Sequence, residues 1–227
     1  MNEKKHRIII TKNGPYIVSG NVPLEEKIIT GGKDGNEYKV GRKFPEVEQY
    51  ALCRCGHSKN MPFCDGEHIT TQFDGSETAS REPFLKQAIT FEGPEITLAD
   101  AEGLCAFSRF CHLKHSNIWD LIPDPQSESD AIKAACECPA GRLVVWNNET
   151  EQPIEPDYQP SIVLLQDPSR NCSGPLWVRG NIPIESSDGT VYEVRNRVTL
   201  CRCGKSENKP FCDANHVSIE FSDKNQE

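Results

Sequence analysis

Two stretches of the chain set three thiols and one imidazole where a single inorganic centre could gather them. Cys53-x-Cys55-x8-Cys64-x3-His68 and Cys201-x-Cys203-x8-Cys212-x3-His216 have the same spacing. A Cys-x-Cys pair in an extended segment can turn both thiolates toward one centre through a local turn, and Gly56 or Gly204 lets the backbone bend past it. The eight-residue loop returns through Pro62-Phe63 or Pro210-Phe211. Cys64 and His68 stand four apart, as do Cys212 and His216, so on one helical turn each pair faces the same way. Asp65 and Asp213 fall at the start of that turn, where a carboxylate accepts from free N–H groups.

Three chemistries compete for this donor set. Structural zinc takes three cysteines and a histidine, but its paired cysteines are usually separated by about two to four residues, whereas here one residue intervenes. A disulfide framework leaves the histidines unused and needs an oxidising compartment. A [2Fe–2S] cluster uses all four ligands, two cysteines on one iron and a cysteine with a histidine on the other.

A further group lies between the repeated ones. Cys105-x2-Ser108-x2-Cys111 is followed by Cys136-Glu137-Cys138-Pro139. A Cys-x2-Cys-x2-Cys run with a distant Cys-Pro is the bacterial ferredoxin pattern, and Ser108 stands where its second cysteine would be. Cys105, Cys111 and Cys138 supply three ligands, which suits a [3Fe–4S] cluster, or a [4Fe–4S] cluster completed by Cys136, Ser108 or solvent. The competing readings are a zinc site and a ferredoxin-like domain that has lost its cluster. Cys172 is left over and reads as a plain buried or loop thiol, and His57, His112 and His115 read as surface histidines near ligands. Trp119, Trp146 and Trp177 read as packing residues.

The elements that must position these residues are small. The 227 residues include 16 prolines and 16 glycines with limited apolar content, which favours turn-rich modules over one thick core. The chain repeats itself at its ends: Asn13–Leu24 matches Ser173–Ile184, Leu52–Ser58 matches Leu200–Ser206, and Pro62–Asp65 matches Pro210–Asp213. The first copy carries twelve additional residues around Gly31-Gly32 and Asp34-Gly35, which a surface hairpin or loop would absorb. Within the copies, Arg7–Thr11, Tyr16–Val18, Trp177–Arg179, Val191–Arg195 and Arg197–Leu200 predict short strands, and Ile69–Phe73 and Val217–Phe221 predict a closing strand after each ligand group. Between them, Ser127 or Ser129 starts a helix running to Cys136, Arg142–Trp146 is a strand, Asn147–Pro160 a linker and Ser161–Gln166 a strand. The expected fold is α+β, mainly β, divided as 1–92, 93–160 and 161–227.

The net charge of −9 gives no electrostatic footprint for nucleic acid and no polybasic attraction to anionic lipid. No apolar run approaches the roughly 20 residues that span a bilayer, and Met1–Ile10 is too polar for a signal-peptide core. The expected location is the cytoplasm, a reducing compartment in which the clustered cysteines read as metal ligands and not disulfides. No Ser-His-Asp set, phosphate loop or nucleotide fingerprint is present, which points to an electron carrier or cluster-binding module instead of an enzyme, with no catalytic residues.

The run Cys53-Arg-Cys-Gly-His-Ser-Lys-Asn-Met-Pro-Phe-Cys-Asp-Gly-Glu-His68 resembles the CDGSH iron–sulfur domain of mitoNEET type, and so does Cys201–His216. The resemblance implies [2Fe–2S] ligation by Cys53, Cys55, Cys64 and His68, and by Cys201, Cys203, Cys212 and His216. In that family two such units pair, so the two copies here are expected to pack as an internal pseudo-dimer. Glu67 and Asn215 depart from the family's usual Ser, and Ala214 replaces the Gly seen at Gly66. The middle segment, with Pro139-Ala-Gly-Arg-Leu143 after Cys138, resembles the divergent single-cluster ferredoxins, which implies a third cluster held by Cys105, Cys111 and Cys138, with Cys136 nearby. The expected activity is single-electron transfer to a redox partner protein. The alternative is storage of clusters and their transfer to an apo-acceptor, with the histidines as labile ligands.

Overall fold

The computed structural model describes residues 6–224. The reading of the chain's start as lacking an apolar leader falls partly on Met1–Lys5, outside the described residues. Among the described residues no helix is long and apolar enough to cross a membrane. The topology is mixed α/β, with β-rich regions at both ends and in the middle.

Strands β1 (Arg7–Ile10), β2 (Tyr16–Ser19) and β5 (Gln49–Leu52) form an antiparallel sheet in the first copy. The twelve extra residues enlarge a hairpin of β3 (Leu24–Gly31) and β4 (Asn36–Lys43). In the middle, β6 (Ile89–Glu92), β7 (Ile96–Asp100), β8 (Leu143–Asn147) and β9 (Gln152–Ile154) make a second antiparallel sheet. The second copy supplies β10 (Ser161–Asp167), β11 (Cys172–Arg179), β12 (Ile184–Glu185) and β13 (Arg197–Leu200). The helices are short: α1 (Glu67–Thr70), α2 (Phe84–Gln87), α3 (Ile118–Leu121), α4 (Glu128–Cys136) and α5 (Asn215–Ser218).

Leu24 and Ile184, equivalent in the repeat, begin strands that leave their own unit. β3 pairs in parallel with β10 through Leu24 and Ile162, and β12 pairs in parallel with β1 through Ile184 and Ile8. Alternation puts Ile8, Ile10, Tyr16, Val18 and Leu52 inside, and they meet Ile162, Leu164, Leu176, Val178 and Leu200 from the other copy in one core. Neither copy alone has enough apolar surface for such a core, so residues distant in sequence complete each other. The middle sheet closes its own core against α3 and α4 with Ile96, Leu98, Ile118, Ala131, Leu143 and Val145.

Three expectations are corrected. Ile69–Phe73 and Val217–Phe221 are not strands: α1 and α5 take up His68 and His216 with the residues that follow, and their chains then turn through left-handed Gln72 (φ 49°) and Glu220 (φ 48°). Phe73 N–H then donates to His68 O and Phe221 N–H to His216 O, both at 2.9 Å, the 6→1 bond of a Schellman ending. Val191–Arg195 makes only a single bridge, Val191 to Glu185, because its side chains reach outward to other segments. Tyr192 Oη donates to Glu77, Glu193 accepts from Phe84 N–H, and Arg195 reaches Gly141 O. Asn147–Pro160 is not wholly a linker, since β9 pairs with β8 across a turn in which the Asn147 side chain accepts from the N–H groups of Glu149 and Thr150.

Candidate metal centres

Each end site is built from the C-terminal end of a core strand and a loop that folds back on it. β5 runs into Cys53 and β13 into Cys201. Cys53 N–H donates to Pro62 O and Cys201 N–H to Pro210 O, both at 2.8 Å, while Cys64 N–H reaches Ala51 O and Cys212 N–H reaches Thr199 O, both at 2.9 Å. These bonds fix the first and third cysteines of each set against one another. Ser58 and Ser206 brace the loop between them: Ser58 Oγ donates to Phe63 O at 2.6 Å and accepts from Asn60 N–H, and Ser206 does the same with Phe211 and Asn208. Asp65 accepts from the N–H groups of Lys59 and Glu67, and Asp213 from those of Glu207 and Asn215, tying the loop to the turn that carries the histidine.

The four donors of each site stand as two pairs. Cys53 Sγ lies 3.6 Å from Cys55 Sγ, and Cys64 Sγ lies 3.4 Å from His68 Nδ1; the distances in the second site are the same, 3.6 Å for Cys201–Cys203 and 3.4 Å for Cys212–His216. Among the described residues no three His, Cys, Asp or Glu side chains are arranged around one point as a single ion would need. Bonding to Cys55, with backbone N–H groups of Cys55, Gly56 and Ser58, holds the Cys53 thiol down to about 6 against the opposing effect of burial. Cys203, Gly204 and Ser206 do the same for Cys201. The same bonds, with burial, push the Cys55 and Cys203 thiols well up, so each pair shares a proton and the amides favour the thiolate at its first sulfur. Burial, with Arg202 beside it, pushes the His216 ring down to about 4, so that ring is neutral and able to ligate at neutral pH.

The arginine between each cysteine pair was not singled out from sequence, although both copies read Cys-Arg-Cys. Arg54 and Arg202 are each 1% exposed. Arg54 donates to Gly14 O and Gly75 O, and Arg202 to Gly174 O and Leu165 O, so each guanidinium clamps the strand behind its site. Arg202 also pairs with buried Asp223, for which the first copy has no equivalent carboxylate.

The two end sites abut. A Cβ on Gly56 would stand 2.5 Å from Cys203 O, and one on Gly204 2.3 Å from Cys55 O, so only glycine allows each ligand loop to approach the other. Met61 packs both against Cys53, Cys55 and Phe73 and against Cys201, Cys203 and Phe221.

In the middle unit, a small cavity is lined by Cys105, Phe107, Ser108, Cys111, Cys138 and Arg142. The loop that forms it turns through left-handed Phe107 (φ 55°) and Arg109 (φ 63°). Ser108 Oγ is buried and has no hydrogen-bond partner among the described residues. Arg142 is held by two bonds to Asp100, at 2.6 and 2.8 Å, and stands close to the Cys105 thiol. Cys136 is not among the residues lining this cavity; its thiol faces Ile154 O at 3.7 Å. Cys172 is the buried first residue of β11, where burial pushes its thiol up to about 11, and His57, His112 and His115 are exposed. All eleven cysteines are free thiols.

Residues 13–69 and 173–217 match the family model described as iron-binding zinc finger, CDGSH type, and residues 91–148 match the one described as divergent 4Fe-4S mono-cluster. No curated protein and no solved structure gives a match. The chain therefore carries a duplicated CDGSH zinc-finger domain and a divergent iron–sulfur domain between the copies, a combination whose general character is iron–sulfur binding and electron transfer.

Proposed function

We propose that the protein is a single-electron carrier with three cluster sites: [2Fe–2S] at Cys53, Cys55, Cys64 and His68, [2Fe–2S] at Cys201, Cys203, Cys212 and His216, and a cubane-type cluster at Cys105, Cys111 and Cys138 with Ser108. The observation that carries the reading is the two-plus-two pairing of donors, repeated at equal distances in both end sites. A dinuclear centre needs two ligands on each metal, whereas one zinc ion needs four around a point. The middle site fits a cluster through its three thiols and the unpartnered Ser108 hydroxyl, since a buried polar atom without a partner is costly unless something absent from the protein chain satisfies it. Clusters of these types supply one-electron couples near neutral pH. The protein's own part is to hold the ligands in preset pairs, aim amides at Cys53 and Cys201, set the Arg142 charge beside Cys105 and exclude water from the second end site. We read the end units as an internal pseudo-dimer, a reading supported by the reciprocal pairing of β3 with β10 and of β12 with β1. The exchange partner would be a redox protein.

A second reading, donation of a cluster to an apo-acceptor from the first site, is favoured by the half-exposed Cys64 and His68. Iron and acid-labile sulfide counts, with electron paramagnetic resonance on anaerobically purified protein, test the cluster assignment. Stoichiometric zinc without sulfide would overturn it. Ser108→Ala should lower the iron held at the middle site and leave the end sites unchanged. Transfer of labelled iron and sulfide to an apo-ferredoxin, faster than one-electron exchange with it, would favour the second reading.

A further inference from the structure

The three sites differ in what surrounds them, and the differences set an order. In the second end site all four ligands are buried: Cys201 2%, Cys203 6%, Cys212 3% and His216 4% exposed. No external protein can touch them. The first end site buries Cys53 and Cys55 but leaves Cys64 and His68 half exposed. The middle site leaves Cys105, Cys111 and Cys138 half exposed. Two sites can meet a partner, then, and one cannot.

The enclosed site is also the one with neighbours on both sides. Cys212 shares one apolar cluster with Ala106, Ala140 and Cys138, so a ligand of the second end site and a ligand of the middle site lie in the same dry patch. On its other flank the second end site meets the first through Met61 and through the glycine contacts at Cys55 and Cys203. The apolar cluster around the first site contains no residue of the middle unit. Electron tunnelling falls steeply with distance and is helped by packed, water-free matter between sites, so adjacency decides the route.

Resting on the three-cluster reading, we infer that the protein is a three-station wire, with the Cys105–Cys111–Cys138 site and the Cys64–His68 face as its two terminals and the buried Cys201–Cys203–Cys212–His216 site as the obligatory station between them. One electron taken from a one-electron donor protein at either terminal passes through the buried site and leaves to a one-electron acceptor protein at the other. The donor is oxidised by one electron, the acceptor reduced by one, each site returns to its starting state, and no covalent bond is made or broken. The sequence repeat suggests two equivalent end sites; burial makes one an internal relay and the other an outlet.

Pulsed electron paramagnetic resonance on the intact, partly reduced protein tests the order without any substitution. Dipolar coupling of the second end site to each of the other two should exceed the coupling between those two, and a middle-to-first coupling as strong as the others would overturn the order. Kinetics test the route. Protein lacking only the buried site, Cys201→Ser with Cys203→Ser, is given one electron by flash reduction, and spectra of the middle and first sites are followed. Equilibration between the terminals should slow at least tenfold relative to the wild type; an unchanged rate at full occupancy of both terminals would overturn the wire alone. Iron and sulfide counts separate the two failures, because a wild-type count that lacks the middle cluster would overturn the three-cluster reading and the wire with it.

Discussion

The two end sites have the same thiol and imidazole donors at the same spacing, the same donor distances and the same bracing serine, aspartate and arginine, yet they occupy opposite environments. Cys64 and His68 are half exposed, while Cys212 and His216 are buried. The second copy docks the middle unit, within its cysteine loop through Asn208, which donates to Gly103 O, and outside that loop through three further residues. Arg109 of the middle unit forms a two-bond pair with Asp167. Arg195 reaches Gly141 O. Arg197, with no exposed side-chain surface, pairs with Glu155 and donates to the carbonyls of Ala135 and Leu143. The equivalent of Arg197 in the first copy is Gln49, which is exposed. A duplicated site thus becomes two functional environments through changes in the scaffold, with the ligands left alone.

The largest expected effect follows from Arg197. Arg197→Ala takes the cation from Glu155, which keeps only its bond from Asn196, and leaves the carbonyls of Ala135, Cys138 and Leu143 without this donor, which should cost about 4 kcal/mol in urea unfolding. Arg109→Ala removes a more peripheral tie and should cost less. In both variants a chelator should attack the second site faster, with no change at the first. If the second site stays protected when the middle unit is loosened, its burial comes from its own fold and the comparison fails.

Asp223 gives the next effect. Burial would raise its carboxyl, but the Arg202 charge and hydrogen bonds from Arg202, Ser173 and Gln166 outweigh burial and hold it down to about 2. An unfolded aspartate titrates near 3.9. A depressed native value means stability that is present above about pH 4 and lost as pH falls toward 2, amounting to about 2 kcal/mol at neutral pH. Asp223→Asn should therefore lower the urea midpoint at pH 7, and the gap from the wild type should close below pH 4. The first copy has Gly75 at this place, and Arg54 is left with one amino group unpartnered, so that half should lack this acid-dependent term.

How far the sequence carried can be judged from particular residues. The two Cys-x-Cys-x8-Cys-x3-His donor sets and the repeat were legible because spacing is a local property. The enlarged hairpin was legible from its glycine turn signals. The closing strands were misread because β-branched and aromatic residues after His68 and His216 suggest a strand, whereas their task is to place Phe73 and Phe221 over the cysteine pairs after a left-handed turn. The burial of one site and not the other was not legible, since it depends on Arg195 and Arg197 meeting residues some forty to sixty positions away. Ser108 was legible as a gap in a ferredoxin pattern, but its lack of a partner was not.

A rate comparison follows in size. Protein retaining only the first end site, Cys201→Ser with Cys203→Ser, should lose that cluster to a chelator about tenfold faster than protein retaining only the second, Cys53→Ser with Cys55→Ser, loses its own. Tenfold corresponds to about 1.4 kcal/mol in barrier. Half exposure of Cys64 and His68 supplies the access that Cys212 and His216 deny. Equal rates would mean that cluster loss is governed by the donor set, which the sites share, and not by cover, which they do not.

The smallest effect isolates the backbone of the turn that carries each histidine. Gly66 has φ 96° and Ala214, its counterpart, φ 71°. Both are left-handed, a conformation that costs a residue bearing Cβ about 1–2 kcal/mol. A Cβ on Gly66 would meet nothing within 4 Å, so the cost there is one of conformation and not of crowding. Ala214→Gly relieves the strain but makes the unfolded chain more flexible, and the balance should be a gain of about 1 kcal/mol. Gly66→Ala should lose a similar amount. The second copy tolerates Ala214 because the docked middle unit and the Arg202–Asp223 pair already hold its ligand loop, and the less covered first copy keeps the glycine. The check is a urea titration of both variants, read as a shift in midpoint at constant slope. If Ala214→Gly gains nothing while Gly66→Ala loses stability, the turn at Ala214 is not strained, and the contrast between the copies reduces to cover alone.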